Sequence, residues 1–251
     1  MSTYTLTFGD QAENHVGMQQ IGELADEGFT VDELLDAMQR FIDDGYNCDL
    51  IKLHNVNGVP ENCDEAAVLI VRNGVQAFVD ADAMFDEQAD LEYDTKAYMY
   101  GRVVNKHARH NICFADFNQE PDYKDKKGRI VSYADVPLLE KVLLNLPGYL
   151  GEKAQNLTVE GNLYYDVRKC GIGFHGDSER RKVIAVRLGN DCPLEYQWFY
   201  KSKPVGERTQ FVLGHGDLYV MSEKATGWDW KKKNVYTLRH AAGCDKYTTI
   251  K

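Results

Sequence analysis

His175, Asp177 and His240 have more chemical capacity than any other set of residues in this chain. His175-Gly176-Asp177 puts an imidazole and a carboxylate close together, and His240 supplies a second imidazole after an interval long enough for several strands. Two neutral imidazoles and one hard carboxylate on one side of a divalent cation leave the opposite positions open to outside ligands. That donor set suits Fe(II) and also admits Mn(II), Co(II) or Zn(II).

A His-x-Asp motif is short, and the chain holds a second one, His215-Gly216-Asp217. Context separates the two. Residues 171–175 read as a strand ending in a turn of small residues, and residues 181–189 alternate as a core strand of an antiparallel sheet should. The second copy lies too close to His240 for strands to intervene, so Gly216-Asp217 reads as a turn opening a strand over 218–221.

The elements that must carry these ligands are mainly β. From Thr95 onward, short β-type runs follow one another between turn residues: 98–104, 111–114, 129–133, 159–165, 171–175, 182–188, 194–200, 210–213, 218–221, 235–241 and 247–250. Many short strands at this spacing predict an α+β, mainly β fold whose core is a jelly roll, or double-stranded β-helix, with supporting helices. One such helix has Asp135 as its cap, Pro137 in its first turn, an apolar face of Leu138, Leu139, Val142, Leu143 and Leu146, and a stop at Pro147-Gly148.

Upstream, Thr30 and Glu33 form a capping box. Leu34, Leu35, Met38, Phe41 and Ile42 recur at helical spacing after it, and Gly45 ends the helix. Residues 66–79 read as a hairpin turning at Asn73-Gly74. Residues 80–94 are strongly acidic and mark a boundary, dividing a partly helical N-terminal α/β extension, 1–90, from a jelly-roll domain, 91–251.

Composition narrows the class. The chain has 29 Lys and Arg against 39 Asp and Glu, a net charge of −10, which argues against coating nucleic acid through a broad basic face. No apolar run is long enough for a membrane helix. The N-terminus lacks the basic flank and apolar core of a secretory signal. The six cysteines lack CxxC spacing, so they read as reduced thiols of a soluble intracellular protein, cytoplasmic or nuclear. Cys170 and Cys244, although near the proposed ligands in sequence, read as small buried hydrophobes.

Over residues 95–251 the sequence resembles the AlkB-like branch of the Fe(II)/2-oxoglutarate-dependent dioxygenases. Asn162-Leu163-Tyr164 looks like the family's N-x-Y element, His175 and Asp177 match its H-x-D, and residues 182–189 match the strand after it. Residues 216–221 resemble its G-D-apolar element, and His240 matches its distal histidine. The resemblance implies Fe(II) held by His175, Asp177 and His240, with 2-oxoglutarate and O2 as cosubstrates. Asn162 and Tyr164 would hydrogen-bond the keto acid. The reaction would hydroxylate a C–H bond and release succinate and CO2.

One departure stands out. The family anchors the far carboxylate of 2-oxoglutarate with an arginine soon after the distal histidine, and no arginine follows His240. Lys246 and Lys251 remain, and a lysine keeps the charge but loses the bidentate fork. If Gly243-Cys244 is a two-residue turn, His240 pairs with Tyr247 and Lys251 faces inward; with one more residue in the loop, Lys246 and Thr248 do. Arg187 is a third candidate.

For the substrate, Arg102, Arg109 and Arg180 are basic groups near the motif elements, with Lys106, His107, His110 and residues 231–233 adding to them. Trp198, together with Trp228 and Trp230, offers stacking faces. These features would suit hydroxylation or demethylation of a nucleic-acid base. The acidic net charge fits a basic peptide better, which makes a protein side-chain hydroxylase the rival. A small-molecule oxygenase and a non-catalytic jelly-roll binding module are the remaining alternatives.

Overall fold

Alternation along the first strand, Thr3–Gly9 (β1), separates two interiors. Tyr4, Leu6 and Phe8 enter an apolar core, whereas Thr5 and Thr7 line a cavity on the other face. The computed structural model describes residues 2–250; Met1 and Lys251 lie outside the described residues.

After β1 come β2 (Gln11–Glu13), β3 (Gln20–Gly22), α1 (Val31–Asp43), β4 (Cys48–Lys52), β5 (Ala67–Val71), α2 (Ala81–Ala89), β6 (Lys96–Met99) and β7 (Arg102–Asn105). Next are β8 (His110–Ala115), β9 (Ile130–Ser132), α3 (Pro137–Leu150), β10 (Thr158–Tyr164), β11 (Gly171–His175), β12 (Val183–Gly189) and β13 (Cys192–Tyr200). The chain ends with β14 (Lys203–Leu213), β15 (Leu218–Met221), α4 (Glu223–Thr226), β16 (Thr237–Gly243) and α5 (Asp245–Thr248).

The fold is mostly β. One sheet has eight strands in the order β4-β5-β15-β12-β1-β10-β8-β9, and a second has four in the order β11-β16-β13-β14. Pairing in both is antiparallel except between β8 and β9. Helices α1, α2 and α3 cover one face of the large sheet through Leu34, Phe41, Met84, Leu139, Val142 and Leu146. The other face packs toward the small sheet, where Val183, Ala185, Tyr219 and Met221 meet Leu194, Tyr196, Trp198 and Leu238. Period-two alternation on β12 sends Ile184, Val186 and Leu188 to the helices and Val183, Ala185 and Arg187 to the opposite side.

Several expectations need correction. Segment 1–90 is not a separate extension: β1, β4 and β5 belong to the large sheet, and β1 sits in its middle between β10 and β12. The acidic stretch taken as a boundary contains α2, whose N-terminus is capped by the Asp80 side chain on the Ala83 N–H. Residues 66–79 are not a hairpin; β5 ends at Val71, Asn73 adopts a left-handed conformation (φ 52°), and a 3-10 turn follows at Gly74–Ala77.

The capping box of α1 forms as expected. By contrast, Asp135 does not cap α3, because Val136 occupies that place, and the helix runs through Pro147 to Leu150. Residues 98–104 fold back as the hairpin β6–β7 through Tyr100 and Gly101, both at positive φ. The expected last strand, 247–250, is replaced by the short helix α5. No described helix is long and apolar enough to cross a membrane.

Candidate metal centre

His175 is the last residue of β11 and pairs directly with His240 on β16. The ladder shifts register between Ile172 and His175, and such an irregularity re-aims a strand-end side chain. The two imidazoles end with their ring centroids 4.4 Å apart. Asp177 lies in the loop after β11. Its backbone N–H donates to the Thr226 carbonyl at 2.9 Å, tying the loop to α4. That docking requires glycine at 176, since a Cβ there would lie 2.0 Å from the Gly227 carbonyl oxygen.

The three donors converge. Asp177 Oδ1 lies 3.4 Å from His175 Nε2 and 3.6 Å from His240 Nε2, and one donor atom from each residue falls within 4.8 Å of the other two. Metal bonds of roughly 2.1 Å at right angles would put donors about 3 Å apart, so a small inward movement seats a cation. His175 Nδ1 is 2.8 Å from the Gly173 carbonyl. That carbonyl holds the proton on Nδ1 and turns the Nε2 lone pair toward the shared point.

Asp177 and His240 are buried, and His175 is half-buried. Burial, reinforced by His175, pushes His240 down to about 4, so it is a neutral ligand at pH 7. Burial also acts to raise the Asp177 carboxyl, but His240, His175 and Arg180 outweigh it and hold the group ionised, below the usual carboxylate range. Ionised carboxylate and neutral imidazole are the states in which these groups bind divalent metal.

The triad forms one wall of a cavity of about 790 Å³ between the two sheets. The large sheet contributes Thr5, Asn162, Tyr164, Arg187 and Tyr219 to it, and Ala242 lines the small-sheet side. The loop after β2, with Trp230 and Lys231, frames the mouth. Asn162 is already heavily bonded: its Oδ1 accepts from Arg109 Nε and Asn111 Nδ2, both at 2.6 Å, and its Nδ2 donates to Glu160 at 2.9 Å. One amide hydrogen is left for a ligand.

The structure brings together His175, Asp177, His240, Asn162, Tyr164, Arg187, Arg109 and Arg180 around this cavity. Arg180 is buried in an ion pair with Glu160 at 2.7 Å, so its charge is spent inside the protein. Other expected site residues lie elsewhere. Arg102 is exposed on the β6–β7 hairpin and does not line the cavity. Trp198 is 1% exposed and donates from Nε1 to the Leu53 carbonyl at 2.8 Å; it is core and offers no stacking face.

Lys246 is exposed on α5 with its Nζ over the Tyr247 ring, outside the cavity lining. Both strand registers expected to bring a C-terminal lysine inward fail because α5 is helical. Lys251 lies outside the described residues. The second motif is a turn, as expected: Asp217 receives Arg72, the Asn73 N–H and the Gly214 N–H, and β15 follows. The six cysteines are free thiols, with Cys170 buried and Cys244 half-buried.

Thr5 and Tyr219 are cavity residues that the sequence reading passed over. For Thr5 a sign was present, because Thr-Tyr-Thr-Leu-Thr-Phe alternates polar and apolar residues as a two-faced strand does.

A protein of Acanthamoeba polyphaga mimivirus described as "Uncharacterized protein R156" is 49% identical to this chain over 249 residues, spanning 98% of this chain and 97% of the viral one. The chain belongs to the family of this viral protein. No protein-family model matches it.

Proposed function

We propose that this chain is a non-haem Fe(II), 2-oxoglutarate-dependent dioxygenase of the AlkB-like type, which hydroxylates a C–H bond with release of succinate and CO2. One observation carries the reading: two imidazoles and one carboxylate meet on the wall of a cavity large enough for a cosubstrate and a substrate group. Strand pairing brings the two imidazoles together, but the carboxylate arrives separately, from the loop after β11. A donor set on one side of the cation, with the cavity on the other, is what binding of outside ligands needs.

The strand order supports a double-stranded β-helix. From β10 to β16 the chain passes from the large sheet to the small one and back, with β10, β12 and β15 in the first and β11, β13, β14 and β16 in the second. Fe(II), when bound, supplies the oxidising chemistry. This chain's residues would hold it through His175, Asp177 and His240, orient the keto acid with Tyr164 and the remaining Asn162 proton, and keep bulk water from the inner wall.

The substrate on this reading is a base of nucleic acid or another C–H donor. Lys231 and Trp230 at the mouth, with Lys231 Nζ 5.8 Å from the Trp230 ring, favour the nucleic-acid base. The test is succinate release from 2-oxoglutarate by the full chain with Fe(II) and ascorbate. Turnover lost in His175→Ala is the expected result. A wild-type chain that takes up no divalent metal would leave the non-catalytic binding module in its place.

A further inference from the structure

We infer that Arg187, assisted by Thr5 of the N-terminal strand, is the carboxylate anchor of this cavity and selects a small diacid as its ligand. Arg187 is 1% exposed on β12 and lines the cavity. Its Nε and Nη1 find no hydrogen-bond partner among the described residues. The ionisable groups acting on it are the phenols of Tyr164 and Tyr219 and the thiol of Cys192, none of them a carboxylate. Burial raises both phenols, Tyr219 to about 12, so neither neutralises the arginine at pH 7.

A guanidinium cannot shed its proton in a protein, so this cation is buried without a counter-charge among the described residues. The other cavity cations are differently placed. Arg180 is paired with Glu160 and Glu179, Arg109 is half-buried and bonded to Asn162, and Lys231 is exposed and bonded to Ser178.

The register gives the subsite its shape. Asn162 on β10, Thr5 on β1 and Arg187 on β12 stand side by side across three adjacent strands. The Thr5 hydroxyl is also buried without a partner, and both residues line the cavity. A carboxylate there would take the Arg187 fork and the Thr5 O–H together. His175, Asp177 and His240 line the same cavity as this subsite. The N-terminal strand is therefore part of the ligand site. Lys246 stands outside the cavity and supplies no anchor.

The identity of the diacid as a 2-keto acid rests on the proposed function; the anion subsite does not. The test is calorimetric titration of the full chain loaded with Mn(II), which occupies the site without turnover. The ligands are 2-oxoglutarate and 2-oxobutanoate, which has the keto-acid head and no second carboxylate. The wild-type chain is expected to prefer 2-oxoglutarate by about 100-fold, as two charge-assisted hydrogen bonds allow. Arg187→Met should erase the preference with Mn(II) uptake unchanged. Arg187→Lys should keep part of it, Thr5→Val should lose several-fold, and Lys246→Ala should lose nothing.

An equal affinity of the wild-type chain for both acids overturns the assignment, as does an undiminished preference in Arg187→Met. Failure of the metal reading is distinguishable, because it appears as absent Mn(II) uptake. Glutarate protection of the metal-free chain against thermal unfolding, lost in Arg187→Met, would then still support the anion subsite, and its absence would overturn it.

Discussion

Replacing Arg187 with methionine is expected to make the ligand-free chain more stable while removing its hold on a diacid. The guanidinium is 1% exposed, and two of its nitrogens lack hydrogen-bond partners. Exchanging buried ionic groups for apolar ones of similar volume is neutral to stabilising by about 1–4 kcal/mol. Methionine is flexible enough to fill the vacated space.

The contact of Arg187 with the Tyr164 ring, 5.9 Å from its centroid, is lost in the exchange and subtracts roughly 0.5–1 kcal/mol. The net gain is then about 0–3 kcal/mol. At this chain length each 1 kcal/mol moves the melting temperature by about 2–4 °C, so the variant should melt up to about 10 °C above wild type.

The assay is a thermal melt with and without Mn(II) and 2-oxoglutarate. Ligand at a hundredfold excess over its dissociation constant adds about 2.7 kcal/mol. Wild type should therefore shift upward by roughly 5–10 °C beyond the shift due to metal alone, and Arg187→Met should not. A ligand-free variant melting several degrees below wild type, yet still stabilised by the keto acid, would refute the argument. Arg187 would then be a structural cation satisfied within the fold.

Gly176→Ala should cut divalent-metal affinity at least tenfold by equilibrium dialysis, because the added methyl meets the Gly227 carbonyl and lifts Asp177 away from the histidines. Trp198→Ala should cost about 3–5 kcal/mol in urea unfolding, from the cavity left in the inter-sheet core and the orphaned Leu53 carbonyl, and it tests core against substrate contact at that residue. Burial, with Glu179 and Glu160 nearby, pushes Glu13 up to about 7 against an ordinary 4.5. Between those values the folded chain keeps a proton that the unfolded chain releases, so this residue makes stability fall as pH rises from about 4.5 to 7. Glu13→Gln should flatten that part of the melting-temperature profile; an unchanged slope would show that Glu13 titrates normally.

The three donor residues were legible in the sequence because a His-x-Asp at the end of a strand, with a distant histidine on another, is a local pattern. The end of β11 that carries His175 was legible because a turn of small residues follows it, whereas β16, which carries His240, was expected over 235–241 and spans Thr237–Gly243. Long-range pairing has no such local code. Nothing in residues 3–9 announces that they insert between β10 and β12, and the merger of segment 1–90 with the large sheet follows from that insertion.

The C-terminal residues failed as a strand for a related reason. Short segments take their conformation from what they pack on, and α5 lies on β11, with Tyr247 against Gly171. The sequence by itself determined which atoms can ligate a divalent ion and that His175 stands at the end of a strand. Tertiary structure alone decided which cation is left without a carboxylate, because charge compensation depends on neighbours across strands rather than along the chain. Arg180 finds Glu160 across the cavity wall, and Arg187 finds phenols and a thiol.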